Sequence, residues 1–161
     1  MSKKLTLKNY FLLSEDSEQA TQRLESLQAW LSKLLLHGTA SRARTRFLKL
    51  ISERAIEIDE ERIRLAEDCS KKKKGEIVYK TKDNKETTKK ADGVSISIKD
   101  FDRFNKEWMK YLKEDFILDV TPETQDTIYG VRDILLETKE EFTGAMALRY
   151  DELATAFEAI K

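Results

Sequence analysis

Leu24-Glu25-Ser26-Leu27-Gln28-Ala29-Trp30-Leu31-Ser32-Lys33-Leu34-Leu35-Leu36-His37-Gly38-Thr39-Ala40-Ser41 is the stretch on which the fold turns. Leu24, Leu27, Leu31, Leu34 and Leu35 recur at three and four residues, with Trp30 beside them. That spacing draws one apolar stripe along a helix. Gly38 accepts the left-handed conformation found past helix ends, which predicts a stop at His37-Gly38. Ser41 then suits the cap of a second helix, since its hydroxyl can accept from free first-turn amides. The second stripe is Phe47, Leu50, Ile51, Ala55, Ile58 and Leu65, carrying the helix to about Cys69 or Lys74. Gly38-Thr39-Ala40 is a short link, so the two helices are predicted to form an antiparallel hairpin.

Outward from the hairpin, Leu5-Thr6-Leu7 alternates as a short strand does, and Asn9 is placed to cap a helical stretch. Downstream the character changes: residues 71–90 hold nine lysines against three acids, and Ile77, Val78 and Tyr79 are nearly the only apolar residues. Glu76–Lys82 reads as a strand before an Asp83-Asn84 turn, and residues 71–92 as a mobile lysine-rich ribbon or loop. Val94-Ser95-Ile96-Ser97-Ile98 alternates strictly and is the best strand in the chain. Asp100 opens a helix bearing Phe101, Phe104, Trp108, Met109 and Leu112 at helical spacing. Phe116–Val120 is a short apolar run, predicted as a strand. Thr121-Pro122 reads as a cap followed by a proline at the first helical position. Ile128, Val131, Leu135 and Leu136 mark the next helix, and Thr143-Gly144 interrupts it. Met146, Tyr150, Leu153, Phe157 and Ile160 mark the last, the most regular heptad-like face. The expectation is one domain, residues 1–161, mainly α (α+β). It has four to five amphipathic helices, an N-terminal helical hairpin and a small β-ribbon or sheet.

Composition narrows the function classes. The chain has 161 residues, 30 basic and 30 acidic, so it has no polycation character overall. Charged residues make up 37%, against roughly 25% in an average domain. Few glycines and one proline favour helices over an all-β fold. No window approaches the roughly 18 apolar residues of a membrane span. The start, Met1-Ser2-Lys3-Lys4-Leu5, lacks the apolar core of a signal peptide. One cysteine, Cys69, makes no internal disulfide, and a reducing cytoplasm is expected. One histidine, His37, is too few for most zinc sites. Neither a cofactor nor a metal is implied, although carboxylates alone leave a metal open. Charge is uneven along the chain: residues 1–50 carry nine basic and four acidic groups, whereas 111–161 carry five and twelve. Such a dipolar distribution presents a local field even at zero net charge.

The candidate binding residues are cationic. In a helix, Arg42 and Arg46 share a face and Lys49 follows three residues on, with Arg44 pointing elsewhere. Such a row could grip phosphates at a helix start. It could equally be a solvated face, or pair with the acidic C-terminal part. Lys72 and Lys73 lie in the run Lys71–Lys74, with Tyr79 the single aromatic available to stack on a base. Glu57, Asp59, Glu60, Glu61, Glu67 and Asp68 read as a charged outer face, since no histidine accompanies them. His37 before Gly38 suits a helix C-terminus, where positive charge is favourable. Lysines two to five residues from Cys69 would lower its thiol pKa, but no partner base is identifiable. No phosphate loop or nucleophile elbow occurs, so no catalytic residue is assigned. Trp30, Trp108, Tyr111, Phe116, Tyr129, Tyr150 and Phe157 read as core, with part of the set left over for a protein partner.

The run Leu35-Leu36-His37-Gly38-Thr39-Ala40-Ser41-Arg42-Ala43-Arg44-Thr45-Arg46-Phe47-Leu48-Lys49-Leu50 resembles the domain-of-unknown-function family 1617. Those are small proteins encoded by phages and prophages of Gram-positive bacteria. Thr143-Gly144-Ala145, Tyr150-Asp151-Glu152-Leu153 and Phe157-Glu158 are similar to that family's closing segment. The resemblance implies a phage origin and residence in the host bacterial cytoplasm, and supplies no catalytic residues. The leading expectation is a non-enzymatic phage accessory protein that binds a protein partner, such as a host defence or replication component. The alternatives are an assembly or virion-associated protein and a nucleic-acid-binding accessory protein, with nucleic acid less favoured because net charge is zero.

Overall fold

The computed structural model describes residues 2–16 and 23–160. In chain order the elements are β1 (Lys3–Lys8), a 3-10 turn (Asn9–Leu12), β2 (Glu15–Asp16), β3 (Arg23–Leu24), α1 (Leu27–Lys33) and α2 (Gly38–Asp68). Five two-residue strands follow: β4 (Lys72–Lys73), β5 (Glu76–Ile77), β6 (Tyr79–Lys80), β7 (Glu86–Thr87) and β8 (Ser95–Ile96). Then come α3 (Phe101–Leu112), β9 (Asp115–Val120), α4 (Gln125–Glu137) and α5 (Gly144–Glu158). The fold is mainly helical, with small antiparallel sheets. Where length predicts one domain, the chain divides into two compact units: Met1–Ala55 with Lys113–Lys161, and Ile56–Leu112.

In the first unit, β1 and β9 pair antiparallel with Leu5 opposite Leu118 and Leu7 opposite Phe116. Alternation sends Leu5 and Leu7 inward while Thr6 and Ile117 face out. The core is built on Leu5, Leu7, Leu31, Phe47, Ile51, Ile128, Val131, Leu135 and Phe157, all essentially inaccessible. The rings of Phe47 on α2 and Phe157 on α5 lie 5.9 Å apart. Two buried polar side chains, Arg149 and Asn9, are hydrogen-bonded, as burial demands, whereas the buried Gln28 Oε1 has no partner among the described residues. Arg149 donates to the backbone carbonyls of Tyr10 and Leu13. Asn9, expected to cap a helix with its side chain, instead accepts from Arg54 Nε at 3.0 Å, and its own N–H donates to the Glu114 carbonyl.

α1 and α2, the pair expected to form a hairpin, have ends that differ from expectation. α1 starts at a cap the stripe does not reveal: Ser26 has extended backbone and its hydroxyl accepts from the Ala29 N–H at 3.1 Å. The helix then ends at Lys33, before His37-Gly38, because Leu34 turns extended. Arg44 explains the early stop, for its guanidinium donates to the Leu34 carbonyl at 2.6 Å and the Leu31 carbonyl at 3.4 Å. Leu34's is a carbonyl that a helix end leaves without an intrahelical partner, whereas Leu31's also accepts from the Leu34 N–H at 3.3 Å. Leu24 therefore lies in β3, and Leu35 is 94% exposed in the link. α2 begins at Gly38, whose φ of 55° opens the helix rather than closing the previous one. Ser41 lies inside α2, its carbonyl accepting from Thr45 Oγ1. His37 accordingly precedes a helix N-terminus, where a positive charge is unfavourable, rather than occupying a C-terminus.

α4 also opens later than Thr121-Pro122 suggests. Residues 121–124 form a turn in which Thr124 Oγ1 donates to the Asp119 carbonyl at 2.8 Å and accepts from the Thr121 N–H at 2.9 Å. Gly130 on α4 lies against Ala43 on α2, and a Cβ at Gly130 would come within 2.5 Å of the alanine Cβ.

The second unit joins the later part of α2, the short strands and α3. Its core is Ile58, Leu65, Ala66, Cys69, Val78, Tyr79 and Leu112. β4 and β5 form a hairpin through Lys74 and Gly75, at φ of 52° and 83°. Two consecutive left-handed residues are what a two-residue I′ turn requires. β6 lies between β7 and β8. Lys71 N–H donates to the Ser97 carbonyl, Val78 N–H to that of Lys71, and Ser97 N–H to that of Val78. The lysine-rich segment thus supplies two buried side chains, Val78 and Tyr79, to this unit.

Candidate functional site

α3 is the strongly amphipathic helix whose apolar stripe is least covered. Asp100 starts it, its carboxylate accepting from the Arg103 N–H at 3.0 Å, as a cap should. Arg103 pairs with Glu107 one turn on at 2.8 Å. Of the stripe, Leu112 alone is buried; Phe104, Trp108 and Tyr111 are half-buried. Phe101 is 60% exposed and Met109 49%. The Trp108 and Tyr111 rings stack at 5.8 Å and 18°, which gives the stripe a rigid aromatic centre. Phe101 stands at an open depression walled by Asp68, Lys99, Asp102 and Arg103. Aromatic and methionine side chains with a charged rim are the composition enriched in protein interfaces. Methionine adds adaptability to an irregular partner surface. Sequence spacing finds this stripe, but spacing reports amphipathicity and is silent on what covers it.

The basic row is exposed. Arg42, Arg46 and Lys49 all reach solvent on α2. Among the described residues no carboxylate pairs with any of them, so the expected pairing with the acidic C-terminal part does not occur. Arg44 does point elsewhere, into the α1 cap. Lys72 and Lys73 are exposed on β4 in the second unit, away in sequence from the arginine row. Tyr79 is only 8% exposed, between β7 and β8, so it is core and cannot stack on a base.

The remaining candidates, among the described residues, are engaged as follows. Cys69 is buried, and burial pushes its thiol pKa up; nearby Arg103 opposes this without overcoming it. The lysines expected to lower it are not among the groups that act on it; Glu107, Asp100 and Asp68 add to the upward push. Asp59 pairs with Arg62, and Glu61 and Asp68 with Arg64, at 2.5–2.9 Å along the exposed side of α2. Hydrogen bonding from Arg64 holds the Glu61 carboxyl below its ordinary range. Among the described residues no three His, Cys, Asp or Glu side chains converge on a metal position. Nor is any helix among them long and apolar enough to cross a membrane. Trp30, Phe142 and Tyr150 form an aromatic cluster in the first unit, with Trp30 Nε1 donating to Glu140 at 2.8 Å and Tyr150 to the Leu135 carbonyl. These groups are engaged with one another, so they serve packing.

No family model, no curated protein and no solved structure matches the chain. The functional argument therefore rests on the geometry.

Proposed function

We propose that this chain is a non-enzymatic accessory protein that acts by binding a protein partner through α3. The carrying observation is the pair of exposed apolar side chains on α3, Phe101 and Met109, beside the half-buried Trp108. Burying a large apolar side chain contributes about 1.5–3 kcal/mol. A fold that leaves two such side chains half-open on one helix forgoes that stabilisation. A partner that covers them recovers it. The exposed stripe lies beside a charged rim and no assembled nucleophile or acid–base pair, which favours recognition over chemistry. The resemblance to the phage family supplies the biological setting: the partner is a host component, of defence or of replication, met in the bacterial cytoplasm.

The test uses the immobilised full chain in extract of a Gram-positive host, beside Phe101→Ser/Met109→Ser. The expected result is a specific partner retained by the parent and lost by the double variant at unchanged thermal stability. Equal retention by both contradicts α3 as the site.

A further inference from the structure

A second, chemically opposite surface lies on the first part of α2. No carboxylate occurs in the sequence between Glu25 and Glu53. Within that stretch, α2 carries Arg42, Arg46 and Lys49 at i, i+4 and i+7, all exposed and, among the described residues, without ion-pair partners. At 1.5 Å rise per residue the row spans about 10 Å. Glu53, one turn beyond Lys49, ends it. We infer that this row is a docking strip for the phosphate backbone of duplex nucleic acid.

The absence of apolar anchors on the strip selects the partner. Every exposed side chain of α2 from Thr39 to Ser52 is polar or cationic. A protein partner needs a desolvated hot spot, which α3 offers and this strip does not. A membrane needs an apolar face to insert, and Leu35, in the link before the helix, is a single leucine. Two of the three cations are arginines, whose planar forks match phosphate oxygens two at a time. The nearby hydroxyls of Thr45 and Ser52 donate to the carbonyls of Ser41 and Lys49, so the cations are the strip's donors. Binding of this kind is sequence-independent, because phosphate contacts carry no base information. Zero net charge over the whole chain does not oppose it, because fields from exposed charges decay within a Debye length of about 8–10 Å. Among the described residues no acid lies within ion-pair distance of the strip.

The experiment titrates the full chain against a fluorescent duplex of arbitrary sequence between about 50 and 200 mM salt. Three neutralised phosphates predict a contribution of about −2.7 to the slope of log K against log salt. Arg42→Gln/Arg46→Gln/Lys49→Gln should flatten the slope by roughly two to three. Lys72→Gln/Lys73→Gln, the same kind of change elsewhere, should flatten it by less than one. Single Gln variants should each flatten it by about one, which preserves the test if the triple variant melts early. Polyglutamate and phosphatidylserine vesicles are the competing probes. Weaker binding of both than of duplex at equal charge concentration supports the inference. No duplex binding at 50 mM salt overturns it, as does an unchanged slope in the triple variant. Tighter binding of either competing probe overturns it too, and transfers the strip to an acidic protein or a membrane respectively.

Discussion

At the scale of single residues, burial decides what each titratable group can do. Cys69 illustrates the rule. Four lysines begin two residues after it, but its side chain is in the core of the second unit. Desolvation disfavours the thiolate, so the folded pKa is above that of the unfolded chain. The sign follows: stability from holding the thiol neutral is complete below the unfolded pKa and is lost as pH rises through the folded one. Alkylation of native protein at pH 8 should run at least about tenfold slower than in urea, because the thiolate is both scarce and shielded. Equal rates would place Cys69 at the surface. Tyr10 follows the same logic with a hydroxyl. Burial, then the hydrogen bond it donates to Glu152 at 2.5 Å, pushes its pKa up to about 12. Ultraviolet titration should show Tyr10 ionising after an ordinary tyrosine, and Tyr10→Phe should remove that late step. The stability this contributes is present below pH 10 and lost as pH climbs towards 12. A titration unchanged by Tyr10→Phe would contradict it.

At the scale of elements, periodicity carried much of the fold and stopped at side chains that act across elements. Alternation located β1, a short apolar run located β9, and three-and-four spacing located all five helices. It misplaced the end of α1 and the start of α2, because Arg44, ten residues beyond Leu34, caps α1 from the next helix. Nothing local in Leu34-Leu35-Leu36 encodes that contact. Gly130 was equally opaque, since its meaning lies in Ala43 on another helix. Gly130→Ala should gain up to about 1 kcal/mol of helix propensity yet destabilise the protein by about 1–2 kcal/mol in urea unfolding, because overpacking costs more. Adding Ala43→Gly should return part of that loss, and a purely additive double variant would contradict the close approach. The polar composition of the lysine-rich segment predicts mobility. Its hydrogen-bonded register gives amide exchange something sharper to check. Lys71, Val78 and Ser97 amides should be protected, and residues 88–92 should exchange fast. Fast exchange at Val78 would mean the segment does not hold its two core side chains. The candidate site was half legible for a related reason: the α3 stripe is written in the spacing, but its exposure depends on what packs against it.

At the scale of the whole molecule, two surfaces of opposite chemistry divide the functional account. One is an apolar stripe on α3 in the second unit, and the other a cationic strip on α2 in the first. Separate surfaces allow separate failures, so the loss of duplex binding in the arginine variants should leave partner retention through α3 intact. The central claim is that α3 meets a protein, and contact itself tests it most directly. A photo-crosslinking residue is placed at Met109, and in a second sample at Leu148, which is 71% exposed on α5 in the other unit and serves as the apolar control. Each full-length protein is irradiated in host extract and its adducts are resolved by mass. A discrete adduct from position 109, absent from position 148 and lost when Phe101→Ser is added, is the predicted result. An adduct from position 148 alone, or none from position 109, would contradict the assignment of α3 as the binding face.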